Sequence, residues 1–274
     1  MGYVAVVTDD DEVRRLGRRD IVIAWRGTVT YLEWIHDLKD ILHPACFSDD
    51  PSIKIESGLH ALALLSAYDI AEMKLNFTNT MKRIPITVFS FSGPRVGNLK
   101  FKERRENLGI KVLRVVNVQD KVPKVPGVFA NEKNKHQKYI EEKTSFPWSY
   151  AHVGTELELD HFNSPFLKPT KDISNAHNLE ALLHLVDGYV GRGLEFCSAT
   201  ARDIALVNKS CDFLKDEYGV PAYWRQDENK GMVRSNDGRW ILPERPRLDS
   251  HPPDTAYHLE QVLKFAAENT LKAV

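Results

Sequence analysis

Two side chains in this sequence could pair an acid with a base. Asp120 stands in Val118-Gln119-Asp120-Lys121-Val122-Pro123, just past a predicted strand, and His177 stands at a predicted helix start in Ala176-His177-Asn178-Leu179-Glu180. A carboxylate at a strand end can fix one tautomer of an imidazole and steady its protonated form, so that the ring takes a proton from a nucleophile. Each residue also has a plainer reading. An aspartate shortly before a proline suits an ordinary turn, and His152, His161 and His184 compete with His177 for the role of base. The pair needs a nucleophile, and no serine here has glycine two places before it and two places after it. That context is the one in which a strained strand-to-helix turn exposes a serine hydroxyl.

Short β-branched runs alternating with helical segments predict an α/β fold with a mostly parallel sheet flanked by helices. The expected strands are Tyr3 to Val7, Asp20 to Trp25, Ile53 to Glu56, Pro85 to Phe91 and Lys111 to Val118. Leu59 to Met73 and Asn98 to Leu108 read as helices, the second stopped by Gly109 in the place of a left-handed cap. Pro123, Pro126, Pro147, Pro165 and Pro169 mark a long irregular stretch before a helix from His177 to Tyr189. Beyond it come a helix near Asp203 to Glu217, a hairpin around Met232 to Trp240 and a closing helix from Thr255. The reading is one α/β domain over 1–274, with 194–274 a C-terminal helical extension packed on it.

Composition narrows the function. A chain of 274 residues, 42% hydrophobic and 27% charged, with a formal net charge of -1, carries no broad basic face, so nucleic acid is not an expected partner. No apolar run is long enough to span a bilayer. Gly2 invites a myristoylation reading, but Val6 stands where that motif needs Ser or Thr. Cys46, Cys197 and Cys211 are too few and too irregular for a disulfide framework, and the N-terminus lacks a basic-then-apolar leader, so a cytoplasmic setting is expected. Asp160-His161 and the pair His177 with His184 lack metal-ligand spacing, so no metal is expected. Trp148, Tyr150, Phe162 and Phe166 could line an acyl wall or lid edge, or simply cover a core.

Four segments in fixed order carry a resemblance: Trp25-Arg26-Gly27-Thr28, Ser92-Gly93-Pro94-Arg95-Val96-Gly97-Asn98, Asp120-Lys121-Val122-Pro123, and Ala176 through Tyr189. Together they resemble the class 3 lipases, and more narrowly the plant phospholipase A1 (type II) branch. The resemblance implies an α/β-hydrolase fold and hydrolysis of glycerolipid acyl esters, chiefly at the sn-1 position of phospholipids, by a Ser-Asp-His triad without a cofactor. It makes Asp120 the acid, His177 the base and Thr28 the oxyanion donor, although Thr28 also suits the cap of a following helix. Glycerolipid is the implied partner, met by transient contact with a membrane surface.

The departure from the family lies before Ala61. Where a strand and a Gly-His-Ser-Leu-Gly elbow should precede the helix of Ala61 to Glu72, the chain runs Ile53-Lys54-Ile55-Glu56-Ser57-Gly58-Leu59-His60. That reads as an internal deletion of several dozen residues, leaving the fold incomplete relative to the family and this chain without its nucleophile. Ser57, at a strand-turn-helix junction, is the candidate substitute, while Ser66, Ser90 and Ser92 sit in helix or strand contexts that bury hydroxyls. The alternative is a non-catalytic lipid-binding or regulatory pseudoenzyme.

Overall fold

The computed structural model describes residues 2–25, 42–44, 50, 52–56, 62–124, 150–226, 228–244 and 260. Its centre is a three-stranded parallel sheet made from β5 (Thr87–Phe91), β6 (Lys111–Asn117) and β7 (Thr155–Leu159), in that order. Val88 pairs with Val112 across β5 and β6, and Val115 with Leu157 across β6 and β7. β6 sits between its neighbours and alternates its side chains between two cores, as a pleated strand must. Val112 joins a cluster with Leu64, Tyr68, Val88 and Phe101, while Val115 joins another with Leu182, Leu185, Phe213 and Leu214.

The first cluster is closed by α2 (Leu62–Glu72) and α3 (Leu99–Asn107). Tyr68 and Phe101 stack between these helices with ring centroids 5.0 Å apart. Outside that contact Arg104 grips Glu72 with two bonds, at 2.6 and 3.0 Å. Asn98 starts α3 by accepting the Phe101 amide, and Gly109 follows it at a φ of 64°, in the left-handed region anticipated for a cap. The second cluster is covered by α5 (Leu179–Asp187), which directly follows the short α4 (Ile173–Ala176).

The remaining strands form antiparallel pairs: β1 (Gly2–Val6) with β2 (Ile21–Trp25), and β3 (Leu42–Pro44) with β4 (Lys54–Glu56). Between β1 and β2 lies α1 (Asp10–Leu16), which the acidic run Asp9 to Glu12 concealed. Asp9 caps it by accepting the Glu12 amide, so those acids serve the positive end of a helix. β7 was also unanticipated, because Thr155-Glu156-Leu157-Glu158-Leu159 carries alternating glutamates that only its register explains. Glu156 lies opposite Arg114 of β6 and pairs with it at 2.6 Å.

The C-terminal segment is less helical than its sequence predicts. In place of one helix near Asp203 to Glu217 stand two short 3-10 turns, Ile204–Lys209 and Asp216–Tyr218. Asn208 is the reason: its buried carbonyl oxygen accepts both the Phe213 and Leu214 amides at 2.8 Å and turns the chain out of the helix. Cys211 beside it is a buried free thiol whose pKa burial pushes up to about 12, and Cys197 is free and exposed. The described residues 231–244 belong to a separate compact unit, in which the anticipated hairpin is present as β8 (Val233–Arg234) and β9 (Trp240–Ile241). The helix anticipated from Thr255 lies outside the described residues.

One buried polar pair makes this fold sensitive to acid. Ser164 Oγ shares a hydrogen bond with His184 Nε2 at 2.9 Å while accepting the Phe166 amide at 3.3 Å, and both side chains are enclosed. Burial lowers the His184 pKa from 6.5 to about 4, with Asp187 opposing the change and Arg202 adding to it. Below pH 6.5 the unfolded chain takes up a proton that the folded chain refuses, so stability is complete above that pH and declines toward pH 4. The loss is about 3 kcal/mol. Urea unfolding from pH 7 to pH 4 should show this loss, and His184→Gln should remove most of it; equal pH dependence in both proteins would reject the assignment.

Candidate active site

At the carboxyl end of β6 the backbone turns sharply, the Asp120 amide donating to the Asn117 carbonyl at 2.9 Å. That turn points the Asp120 carboxylate inward, where it is 0% exposed. A buried carboxylate needs donors. One oxygen accepts the Val122 amide at 2.9 Å, and the other accepts His177 Nδ1 at 2.7 Å. The turn and the bond to a histidine are thus both present at Asp120, on different oxygens of one carboxylate.

His177 reaches Asp120 because it is the corner between two helices. It ends α4, its amide donating to the Ile173 carbonyl, and the next residue, Asn178, begins α5 by accepting the Glu180 amide at 2.8 Å. Its backbone sits at φ -91°, ψ 0°, the sparsely populated bridge region where many active-site residues are found. The ring keeps about a fifth of its surface in contact with solvent, at 18%. With Nδ1 directed at the carboxylate, Nε2 is the nitrogen suited to exchange a proton with a reacting group.

Two of the competing histidines are held elsewhere. His161 is fully buried, and its Nε2 donates to the Thr170 carbonyl at 2.8 Å, so Nδ1 is the acceptor and takes a bond from Asn117 Nδ2 at 3.0 Å. His184 is bonded to Ser164 as described. Asp160, the neighbour that raised the thought of a metal, instead accepts the Phe162 amide and begins a turn. No cluster able to hold a metal ion occurs among the described residues.

Asn117 was not anticipated as part of this site. From the last position of β6 its amide also donates to the Ala176 carbonyl at 3.3 Å, which ties the strand to the residue just before His177. One carboxamide thus joins the acid's strand, the base's helix and the buried His161. Nothing local in Val116-Asn117-Val118 announces this, because its partners come from far along the chain.

Thr28 and Ser57 lie outside the described residues, as does Trp148. Of the other serines weighed, Ser66 is half-buried in α2, and Ser92 is fully buried just past β5. Ser92 occupies a left-handed turn at φ 51° rather than a strand, its amide donating to the Val115 carbonyl at 2.8 Å while its hydroxyl makes no hydrogen bond. Among the loop aromatics Tyr150 is buried, Phe162 is partly exposed, and Phe166 packs against Phe196 and Tyr218. A cleft of about 190 Å³ opens at the ends of β6 and β7, between Val118, Leu159, Asn163, Tyr189 and Phe196. It is smaller than the ~300 Å³ at which small-molecule pockets usually begin.

A parallel sheet between helical layers, with an acid beyond a strand end and its histidine partner on the helix side, is the fold of an α/β hydrolase. Comparison with known proteins narrows the class. Residues 60–130 match the family described as Lipase (class 3). Phospholipase A1-Igamma3, chloroplastic, of Arabidopsis thaliana is 59% identical over an alignment of 330 positions covering 99% of this chain and 63% of that protein. Phospholipase A1-Igamma2, chloroplastic, is 49% identical over 96% of this chain and 60% of its own length. Phospholipase A1-II 6 of Oryza sativa subsp. japonica is 35% identical over 89% of this chain and 69% of its own length. The chain belongs to the class 3 lipases, in the plant phospholipase A1 family.

It spans about 60% of the length of the first two relatives. An alignment of 330 positions also exceeds a chain of 274 residues, so several dozen residues of Igamma3 have no counterpart here. The expected cytoplasmic setting does not stand: the relatives at 59% and 49% identity are named chloroplastic. Near-neutral charge and few cysteines describe any reducing compartment, and they could not tell one from another. No helix among the described residues is long and apolar enough to cross a membrane.

The Asn117 junction has a measurable weight. Asn117→Ala leaves the Ala176 carbonyl and His161 Nδ1 buried without donors, which should cost about 3 kcal/mol. Urea unfolding followed by tryptophan fluorescence should show the shift, and an unchanged midpoint would mean that the side chain is not what joins β6 to α4.

Proposed function

We propose that this chain carries the acid-base half of a phospholipase A1-type acyl hydrolase site for glycerolipids in the chloroplast. The single observation behind it is the 2.7 Å bond from His177 Nδ1 to the fully buried Asp120 carboxylate. In this reading His177 Nε2 takes the proton of a serine hydroxyl as its oxygen attacks the ester carbonyl. The oxyanion is held by the Thr28 amide. Collapse of the tetrahedral intermediate breaks the bond to the leaving alkoxide, to which His177 returns the proton, and water then repeats the sequence on the acyl-enzyme. The names of the relatives, phospholipase A1 and, for another from Arabidopsis thaliana, galactolipase, support a polar glycerolipid as substrate. Contact with the membrane surface is transient in this picture.

The serine itself has no Gly-x-Ser-x-Gly context here, so hydrolysis awaits a nucleophile that this chain does not carry in that form. A fluorophosphonate probe should leave this chain unlabelled and ester turnover at the background rate. A chain in which the unmatched residues of Igamma3 are inserted before α2 should label and turn over short-chain esters. In that restored chain His177→Ala and Asp120→Ala should each lower kcat by about 10⁴-fold or more. Labelling of the present chain that disappears in Ser57→Ala would instead make Ser57 the nucleophile. A restored chain without esterase activity would sink the proposal.

A further inference from the structure

A helix at a protein surface usually turns one apolar stripe inward and shows polar residues to water, and α5 departs from that pattern. Its inner stripe is ordinary, with Ala181, Leu182 and Leu185 buried in the second core cluster. Its outer stripe is apolar too. Leu179, Leu183 and Val186 recur at the i, i+4, i+7 spacing of one helical face, where Leu179 is 52% exposed, Val186 is open and Leu183 is half-buried. A helix that is apolar on both sides is suited to a second apolar surface.

The stripe continues into the loop after α5, where Tyr189, Val190 and Leu194 are exposed, the last at 63%. That loop is pinned at its base. The Cys197 amide donates to the Gly188 carbonyl and the Ala199 amide to the Asp187 carbonyl, each at 3.1 Å. The Asp187 carboxylate accepts the Thr200 amide at 2.8 Å and the hydroxyls of Ser198 and Thr200. With its ends clasped in this way the loop has the character of an Ω-loop, and its tip is held out beside the helix. Charge then decides what the surface can meet. Arg202 and Lys209 are both taken by Glu180, and Arg192 by Glu158 at 3.6 Å, so none of these cations is left over for an anionic headgroup. Glu195 adds a further acid to the loop.

We infer that the outer face of α5 and the 189–194 tip form the surface by which this protein settles on a polar-lipid layer without net charge. Leu179, Val186, Val190 and Leu194 enter the boundary between headgroups and acyl chains, and Tyr189 lies at headgroup level, as amphipathic aromatic side chains do. Apolar insertion is the driving force, because the paired cations leave no electrostatic attraction to an anionic layer. His177 stands immediately before Asn178, the cap of this helix, so docking through α5 brings the imidazole to the lipid boundary. The choice of a lipid as occupant rests on the proposed function, and the test reads binding instead of hydrolysis.

The full chain would be floated with vesicles of digalactosyldiacylglycerol, alone or mixed with phosphatidylglycerol. Binding should survive about 1 M sodium chloride, where charge attraction is screened within ~3 Å, and should not strengthen with the anionic lipid. Val186→Ser and Leu194→Ser, at positions already open to water, should each lower the partition coefficient about tenfold while leaving the circular dichroism unchanged. Ile21→Ser, on the equally exposed β2, should leave it unaltered. Hydrogen exchange should slow across residues 179–194 when vesicles are present. The inference is overturned if the chain does not bind, if binding needs the anionic lipid or is lost in salt, or if Ile21→Ser abolishes it and the α5 and loop variants do not. Dimers seen by light scattering that Leu194→Ser dissolves, with no vesicle binding, would give the face to a second copy and also overturn it. Turnover of soluble short-chain esters by the restored chain is independent of all these outcomes.

Discussion

A carboxylate sealed from water has to find its partners inside the protein, and much of the described structure around Asp120 follows from that requirement. One oxygen is satisfied by the turn that creates the burial, through the Val122 amide. The other can be satisfied only by a group arriving from elsewhere in the chain, and it is met by His177 at the corner of α4 and α5. The corner is held in turn by Asn117, by the Asn178 cap and by Asn175, which donates to the Asp212 carbonyl of the segment covering α5. Three asparagines and one aspartate fix the position of one imidazole. Each works because its amide or carboxylate meets backbone groups left over at an element's end.

The Asp120-His177 pair was legible in the sequence because each residue lies in a short contiguous motif in a fixed order, with Asp120 just past a strand and His177 at a helix boundary. The strands β2, β5 and β6 were legible for a similar reason: Val and Ile runs announce burial whatever lies beside them. Asn117, β7 and the Asn208 turn were not. Asn117 looks like any polar residue at a strand end, β7 carries glutamates that make sense only against Arg114, and Asn208 stops a helix through bonds to residues five and six places on. α1 was lost for the opposite reason, since an acidic run that reads as solvated loop is also what a helix start prefers. The compartment in the relatives' names could not be read from this chain at all, because near-neutral charge and few cysteines suit any reducing compartment.

The same chain shows what happens when local pattern and long-range pairing part company. β6 has the neighbours that its composition asks for, and its apolar residues are covered on both faces. Among the described residues β2 and β5 have the composition without all the neighbours, and apart from the buried Val88 their large apolar side chains meet water instead. Where propensity and environment agree, as in β6, a position is specified twice over; where they disagree, only the local half of the specification remains.

The order of the central sheet also bears on when the site comes into being during folding. β6 pairs with β7 across a long intervening segment, Leu113 opposite Thr155, and α4 and α5 follow only afterwards. Closing a loop of that length is entropically costly before the contacts that reward it are made, so the β6-β7 pairing belongs to the slow part of the reaction. The Asp120 turn is local and can form early, leaving its carboxylate hydrated. Its dehydration requires α4 and α5 to dock, so the Asp120-His177 bond would report on the joining of that helical corner to the turn after β6.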